Sequence, residues 1–332
     1  MDYGIEKKNI FIVGWDDFNV KKLKRVPRAK NYDFHSALDF EDLRGEHDID
    51  PLMLIKKAIK NIDDTGVNPD AILTYWDFPA TLITPILAQR YGLSAPSLKS
   101  VVKCEHKFWS RMEQRKVAID NIPNFQAFNP FNEDPYREIS LLPPYWVKPI
   151  KSFRSFLAFR INDEWDFKNA LEETREHVES ISKPFHRLIS KYRMPEMISQ
   201  MPESCIAESL LSGSQCTLEG YVYEGEVIGY GVVDSLREND RSSFARYQYP
   251  SSLPLDVQYR MMDISRRVIQ QIDMDDGCFN MEFFYNQSDD KVWLLEINPR
   301  LSQSHSDLFE KVHGTSHLQI MMDVALGRRP AP

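Results

Sequence analysis

Apolar residues along the chain fall into two spacings, and the switching between them outlines the elements. NIFIV (9–13) and AILTYW (71–76) are short strand-like runs, whereas PLMLIKKAIKNI (51–62) and FPATLITPILAQRYG (78–92) carry helical spacing, the latter closed by Gly92. The order strand, helix, strand, helix predicts a small parallel sheet flanked by helices. CEHKFWSRMEQRKVAI (104–119) then reads as a helix, and IPNFQAF (122–128), YWVKPI (145–150) and SFLAFRI (155–161) as strands. Phe167, Leu171, Thr174, Val178 and Ile181 form one stripe of a following helix, and 184–202 is a helical connection punctuated by Met and Pro.

The remainder is strand-rich. SCIAESLL, CTLEGYVY and EVIGYGVVD come first, with a tight turn at Gly225 making the last two a hairpin. A Gly-free loop is expected over 234–251, carrying Arg237, Arg241 and Arg246, followed by a helix with Val257, Met261, Ile264, Val268 and Ile272 on its buried side. CFNMEFFYN and KVWLLEIN, joined by QSDD, form a final pair. Strand side chains alternate, so Asn280 and Glu282 should share one face, as should Leu294, Glu296 and Asn298, with Trp293, Leu295 and Ile297 opposite. Two carboxylates and an amide thus converge at the mouth of a buried strand.

Length and composition bound what such a site serves. The 332 residues exceed what one simple core usually organises, so subdomains sharing a cleft are expected. With 42% hydrophobic and 27% charged residues the chain is an ordinary globular protein, and its net charge of −8 argues against a nucleic-acid coat. No run approaches the roughly 20 apolar residues of a membrane span, and the first thirty residues lack a signal-peptide centre, so a cytoplasmic protein is expected. Cys104, Cys205, Cys216 and Cys278 have no zinc-type spacing and read as buried, inert thiols.

Carboxylates set in apolar strands cost several kcal/mol to bury unless a cation neutralises them. Glu282, Glu296 and Asn298 are hard oxygen donors of the kind Mg²⁺ takes, with other positions left for phosphate and water. A salt bridge with Arg300 at the sheet end satisfies the same acids without a metal.

The order of these pieces resembles the ATP-grasp superfamily: a strand with Glu282, a turn, a strand ending E-I-N-P-R (296–300), an upstream V-K-P (147–149), and E-S-L-L-S-G-S-Q (208–215) before a hairpin. The resemblance runs over about residues 70–330. It implies an α/β (α+β) fold, with a Rossmann-like domain over 1–100, a first ATP-grasp subdomain over 101–205 and a second, bearing the metal site, over 206–332. It also implies ATP and Mg²⁺, with Mn²⁺ as a substitute, and makes Glu282, Glu296 and Asn298 the metal ligands. Arg300 and Lys148 become the catalytic cations, and a guanidinium fork does suit phosphate oxygens. Lys107, with Lys103 in reserve, matches the first phosphate-binding lysine. Glu208 would lie at the adenine amino group, Ser209, Leu210 and Leu211 at the adenine edge, and Gln215, where most members have Glu, at the ribose.

The Gly-rich phosphate loop of many relatives is missing, since no glycine occurs between Gly92 and Gly213. Lys151, Ser152, Arg154 and Ser155 are the donors available instead, unless the segment is a plain hairpin with a basic tip. Arg246, Ser302, Ser304 and His305 are expected on the substrate side, where His305 either takes a proton from an amine or holds the loop backbone. The expected activity is ATP-dependent joining of a carboxylate to an amine through an acyl phosphate. Alternatives are an ATP-grasp kinase or carboxylase, and a nucleotide-binding module without catalysis. The expected partners are small carboxylates and amines, amino acids among them, and a second copy in a homodimer, rather than nucleic acid or membrane.

Overall fold

The computed structural model describes residues 7–44, 50–152, 155–237 and 244–331, so Arg154 and Arg241 lie outside the described residues. Three sheets organise them. β1 (Lys8–Trp15) pairs in parallel with β2 (Tyr32–Asp39) on one side and β3 (Ala71–Leu73) on the other. β2 escaped the sequence reading because Asp33, His35 and Ser36 interrupt its apolar residues, a composition that an edge strand tolerates.

β4 (Phe125–Phe128), β5 (Tyr145–Pro149), β6 (Phe159–Ile161) and β7 (Cys205–Ser209) form an antiparallel sheet in the order β4-β7-β5-β6. The strand expected over 155–161 shortens to its last three residues, because Ser155 and Leu157 take left-handed conformations at φ 57° and 52°. The predicted stripe from Phe167 to Ile181 spans two helices, Glu164–His177 and Glu179–Ile189.

The third sheet holds β8 (Ser214–Tyr223), β9 (Glu226–Arg237), β10 (Phe244–Gln248), β11 (Gly277–Asn286) and β12 (Lys291–Asn298), in the order β10-β9-β8-β11-β12. Helix Leu255–Ile272 buries Val257, Met261, Ile264, Val268 and Ile272 against it, as their spacing predicts. The expected loop over 234–251 is instead partly sheet: β9 runs on to Arg237 and β10 folds back on it, pairing Tyr247 with Ser235. Its polar sequence is that of an edge strand, which strand-like apolar runs do not reveal.

Two local departures set the site. The helix expected over 104–119 is two helices, Leu98–Glu105 and Lys107–Ala118, because His106 ends one and caps the other, its Nδ1 accepting from the Trp109 amide at 3.2 Å. Lys107 therefore opens a helix. In β12 strict alternation fails: Glu282 pairs with Glu296 and Phe283 with Leu294, so Leu295 is an extra residue. This bulge turns Leu294 into the core beside Val292 and Ile297, and Leu294 does not share a face with Glu296.

Among the described residues no helix is long and apolar enough to cross a membrane. All four cysteines are buried free thiols, and burial pushes each thiol well above the usual cysteine range.

Candidate active site

β11 and β12 put Glu282 directly opposite Glu296 and Asn280 opposite Asn298. The Asn298 amide donates to Asn280 Oδ1 at 2.9 Å and to Glu282 Oε1 at 3.4 Å. Gln215, on neighbouring β8, donates to Glu282 Oε2 at 3.0 Å and accepts from Arg237 at 2.9 Å. Burial and the facing Glu296 push the Glu282 carboxyl up. Burial acts the same way on Glu296, but Lys107, Lys148 and Lys151 outweigh it and hold that carboxyl below the ordinary range. Among the described residues no group of three or more His, Cys, Asp or Glu converges, so any cation here must use the amide as well. Two opposed acids, one of them unwilling to ionise, beside an amide oxygen fit a hard divalent ion.

Cations ring this pair, each held by an acid. Lys107 binds Glu296, and Lys151 binds Glu105 while lying over the rings of Phe78 and Phe185, at 5.0 and 5.6 Å from their centroids. Arg300 pairs through Nε with Asp77, which stands beyond the carboxyl end of β3. Lys148 reaches Glu208 at 2.6 Å. A cavity of about 430 Å³ opens among these groups, with Glu282, Glu296, Asn298, Lys151 and Arg300 in its wall.

The predicted residues divide on this geometry. Ser302, Ser304 and His305 line the cavity, the two hydroxyls 3.0 Å apart. Arg246 is exposed on β10 and absent from the cavity wall, where its neighbour Tyr247 stands because adjacent residues of a strand face opposite ways, and Phe244 joins Tyr247 there because the pairing shifts register between Phe244 and Arg246. Ser155 is exposed too, while Lys151 and Ser152 are buried in the wall. Lys103 donates to the Ile272 carbonyl at 2.8 Å, away from the acids that Lys107 joins.

Arg111 went unnoticed in the sequence. Its buried guanidinium binds Glu208 at 2.5 Å, Gln114 at 2.5 Å, and the bulge carbonyls of Leu294 and Leu295 at 3.1 and 2.6 Å. The Glu208 carboxylate is thereby shared between Arg111 and Lys148, and although burial opposes its charge, these two cations depress it to about 2. A cation one helical turn beyond Lys107 was the available signal. Asp77, an acid just past a parallel strand, and Glu219, a lone acid in CTLEGYVY, were legible in the same way.

A model of the ATP-grasp domain matches residues 142–307, half of the chain, and the chain belongs to the ATP-grasp family. A 79-residue stretch is 37% identical to the carbamoyl phosphate synthase large chain of Micrococcus luteus and another alignment of the same length is 34% identical to that of Streptomyces avermitilis. Each covers 24% of this chain and only 7% of the relative's length. Among solved structures, the L-amino acid ligase from Bacillus licheniformis superposes with a TM-score of 0.69 at 17% identity, covering 97% of this chain and 74% of that one. A carboxyaminoimidazole ribonucleotide synthase from Aspergillus clavatus complexed with ATP gives 0.70 at 16% identity, over 98% and 78%. These superpositions bear out the expected α/β ATP-grasp fold across nearly the whole chain.

Proposed function

We propose that the chain is an ATP-dependent ligase that phosphorylates a small carboxylate and joins the resulting acyl group to an amine, releasing ADP and phosphate. The observation that carries this reading is the opposed pair Glu282 and Glu296 beside Asn298, with Arg300 at the strand mouth and Lys107 and Lys151 around it. The named functions of the similar proteins, ligases and synthases among them, agree with it.

In this reading Lys107, Lys148 and Lys151 bind nucleotide phosphates, and Arg300 holds the phosphoryl group in transfer. Ser209, Leu210 and Leu211 face the adenine edge. Glu208, its carboxylate already committed to Arg111 and Lys148, helps only as part of that ion-paired wall. Gln215 serves the ribose from a position fixed by Glu282 and Arg237. Mg²⁺ would be held by Glu282, Glu296 and Asn298 and would supply charge neutralisation for the phosphates. The protein's own work is positioning and electrostatic stabilisation. Each cation already has an acid partner, so phosphates need only exchange with carboxylates for Lys107, Lys151 and Arg300. Amino acids suit the cavity as substrates, since its wall mixes acids, cations and hydroxyls that can take both ends of a zwitterion.

The test is ADP release from Mg²⁺·ATP across a panel of carboxylates and amines. The ligase reading expects release that requires both a carboxylate and Mg²⁺. Release that ignores carboxylates but needs an alcohol, leaving a stable phosphate ester, makes the protein a kinase. No release with any acceptor, despite nucleotide binding, leaves a binding module.

A further inference from the structure

Behind the cavity wall lies a buried polar cluster that phosphoryl transfer does not use. Glu219, fully buried on β8, has Oε1 at 2.7 Å from His305 Nδ1. Its Oε2 accepts from the Ser302 amide at 3.4 Å and lies 3.7 Å from His317 Nδ1. His317 itself lines no part of the cavity; Tyr230 holds its Nδ1 at 2.7 Å, and burial lowers its pKa to about 4, so it stays neutral at neutral pH. His305 is different. It lines the cavity, with Tyr247 edge-on at 4.7 Å, and its Nε2, like that of His317, is buried without a hydrogen-bond partner among the described residues.

A carboxylate only accepts hydrogen bonds, so the Glu219 contact calls for a proton on Nδ1, and in the neutral ring the lone pair is then on Nε2. An unpaired buried acceptor costs stability. Such a cost is explained if a substrate donor meets the nitrogen during turnover. Glu219 is in hydrogen-bond contact with His305, and the cavity that His305 lines also carries Asp77, Glu105, Lys151, Glu282, Glu296 and Arg300 in its wall. A proton taken up at Nε2 is therefore offset by an anion already in hydrogen-bond contact with the ring.

We propose that His305 Nε2 takes the proton from the incoming amine, and that Glu219 is the positioning residue that fixes its tautomer. The inference rests on the ligase reading. The substrate ammonium gives one proton to Nε2, which exposes the nitrogen lone pair. That pair attacks the acyl carbon, a C–N bond forms, and the bond from carbon to the phosphate oxygen breaks with its electrons leaving on phosphate. The second nitrogen proton goes to the departing phosphate, and the proton on His305 passes to solvent when products leave. Ammonium and acyl phosphate thus become amide, hydrogen phosphate and one proton.

The experiment compares two acceptors with Mg²⁺·ATP and a mixture of common L-amino acids as carboxylate donors: amino-acid amines, read as amide, and hydroxylamine, read as hydroxamate. Hydroxylamine is a free base at neutral pH and has little need of a proton acceptor. His305→Ala is expected to lower amide formation by about 10²-fold or more, to lower hydroxamate far less, and to regain part of its amide formation with added imidazole. Equal losses in both assays, or no loss in either, overturn the role of His305 and leave the ligase reading standing. A wild-type protein that forms neither product and releases no ADP overturns the ligase reading and this proposal with it. A second measurement needs no active variant: ¹⁵N spectra of histidine-labelled protein should show His305 protonated on Nδ1, with that preference lost in Glu219→Gln. A wild-type His305 protonated on Nε2 would contradict the assigned geometry.

Discussion

Glu282 and Glu296 face each other across two paired strands, yet their surroundings pull them in opposite directions. Glu282 is raised by burial and by its neighbour, so it stabilises the fold only while protonated and loses that contribution as pH rises through its raised value. Once ionised, its charge is a cost. Glu282→Gln should therefore raise the melting temperature of the ligand-free protein. Glu296 is depressed by its lysines, so its charge stabilises the fold above the ordinary glutamate range, and Glu296→Gln should lower the melting temperature by leaving Lys107 without its partner. Both variants should lose turnover to below about a tenth of wild type, a barrier increase above about 1.4 kcal/mol. Thermal melts of the two proteins side by side check the opposite signs; shifts in the same direction would contradict this electrostatic assignment. Glu208 offers a pH test. Its carboxylate, held near 2 between Arg111 and Lys148, contributes stability above about 4.5 that is lost as pH falls toward 2. Glu208→Gln should cost about 3–5 kcal/mol at pH 7, since it leaves buried cations unpaired. Urea titrations should show that difference shrinking across the same acid window.

Elements carry these side chains to their places, and here the sequence was partly legible. The β8–β9 hairpin and the β11–β12 pair followed from apolar runs joined by short turns, and the helix Leu255–Ile272 from apolar spacing on its buried side. What spacing missed are the irregularities. The bulge at Leu295 hides in the doublet Leu294-Leu295, where two apolar neighbours satisfy either register, and only Arg111 binding both carbonyls shows how it is held. The break at His106 hides because a side-chain cap joins two helices without any loss of apolar pattern. β10 is polar and at an edge, so it reads as loop. The gathering of Glu282, Glu296, Asn298 and Arg300 was approachable because polar groups in an apolar strand stand out, and Asp77 because it is an acid just past a parallel strand; Glu105 was not, because its partner Lys151 comes from a distant part of the chain. One glycine fixes the path from β7 into β8. Gly213 has φ 124°, and a Cβ there would fall 2.2 Å from the Tyr285 carbonyl oxygen. Gly213→Ala should cost at least about 1–3 kcal/mol and weaken nucleotide binding through the adjoining Ser209–Leu211 segment. Denaturant melts and nucleotide titration of that variant check it; wild-type values in both would show that the turn relaxes freely.

At the scale of the whole molecule, the cavity draws walls from all three parts of the chain: Asp77 follows β3, Lys151 follows β5, and Glu282, Glu296 and Arg300 come from the β11–β12 end. A ligand that spans these walls binds only the assembled fold. Mg²⁺·ATP at a hundred times its dissociation constant should therefore stabilise the protein by about 2.7 kcal/mol, with most of the effect removed by EDTA; identical melting curves with and without nucleotide would contradict the site. Binding alone does not establish ligation. The central claim is that a carboxylate oxygen attacks ATP and later departs with the phosphate. It is tested most directly by supplying the carboxylate labelled with ¹⁸O and analysing the inorganic phosphate after amide formation. The account predicts phosphate carrying one labelled oxygen per turnover, whereas unlabelled phosphate accompanying amide product would mean that no acyl phosphate forms.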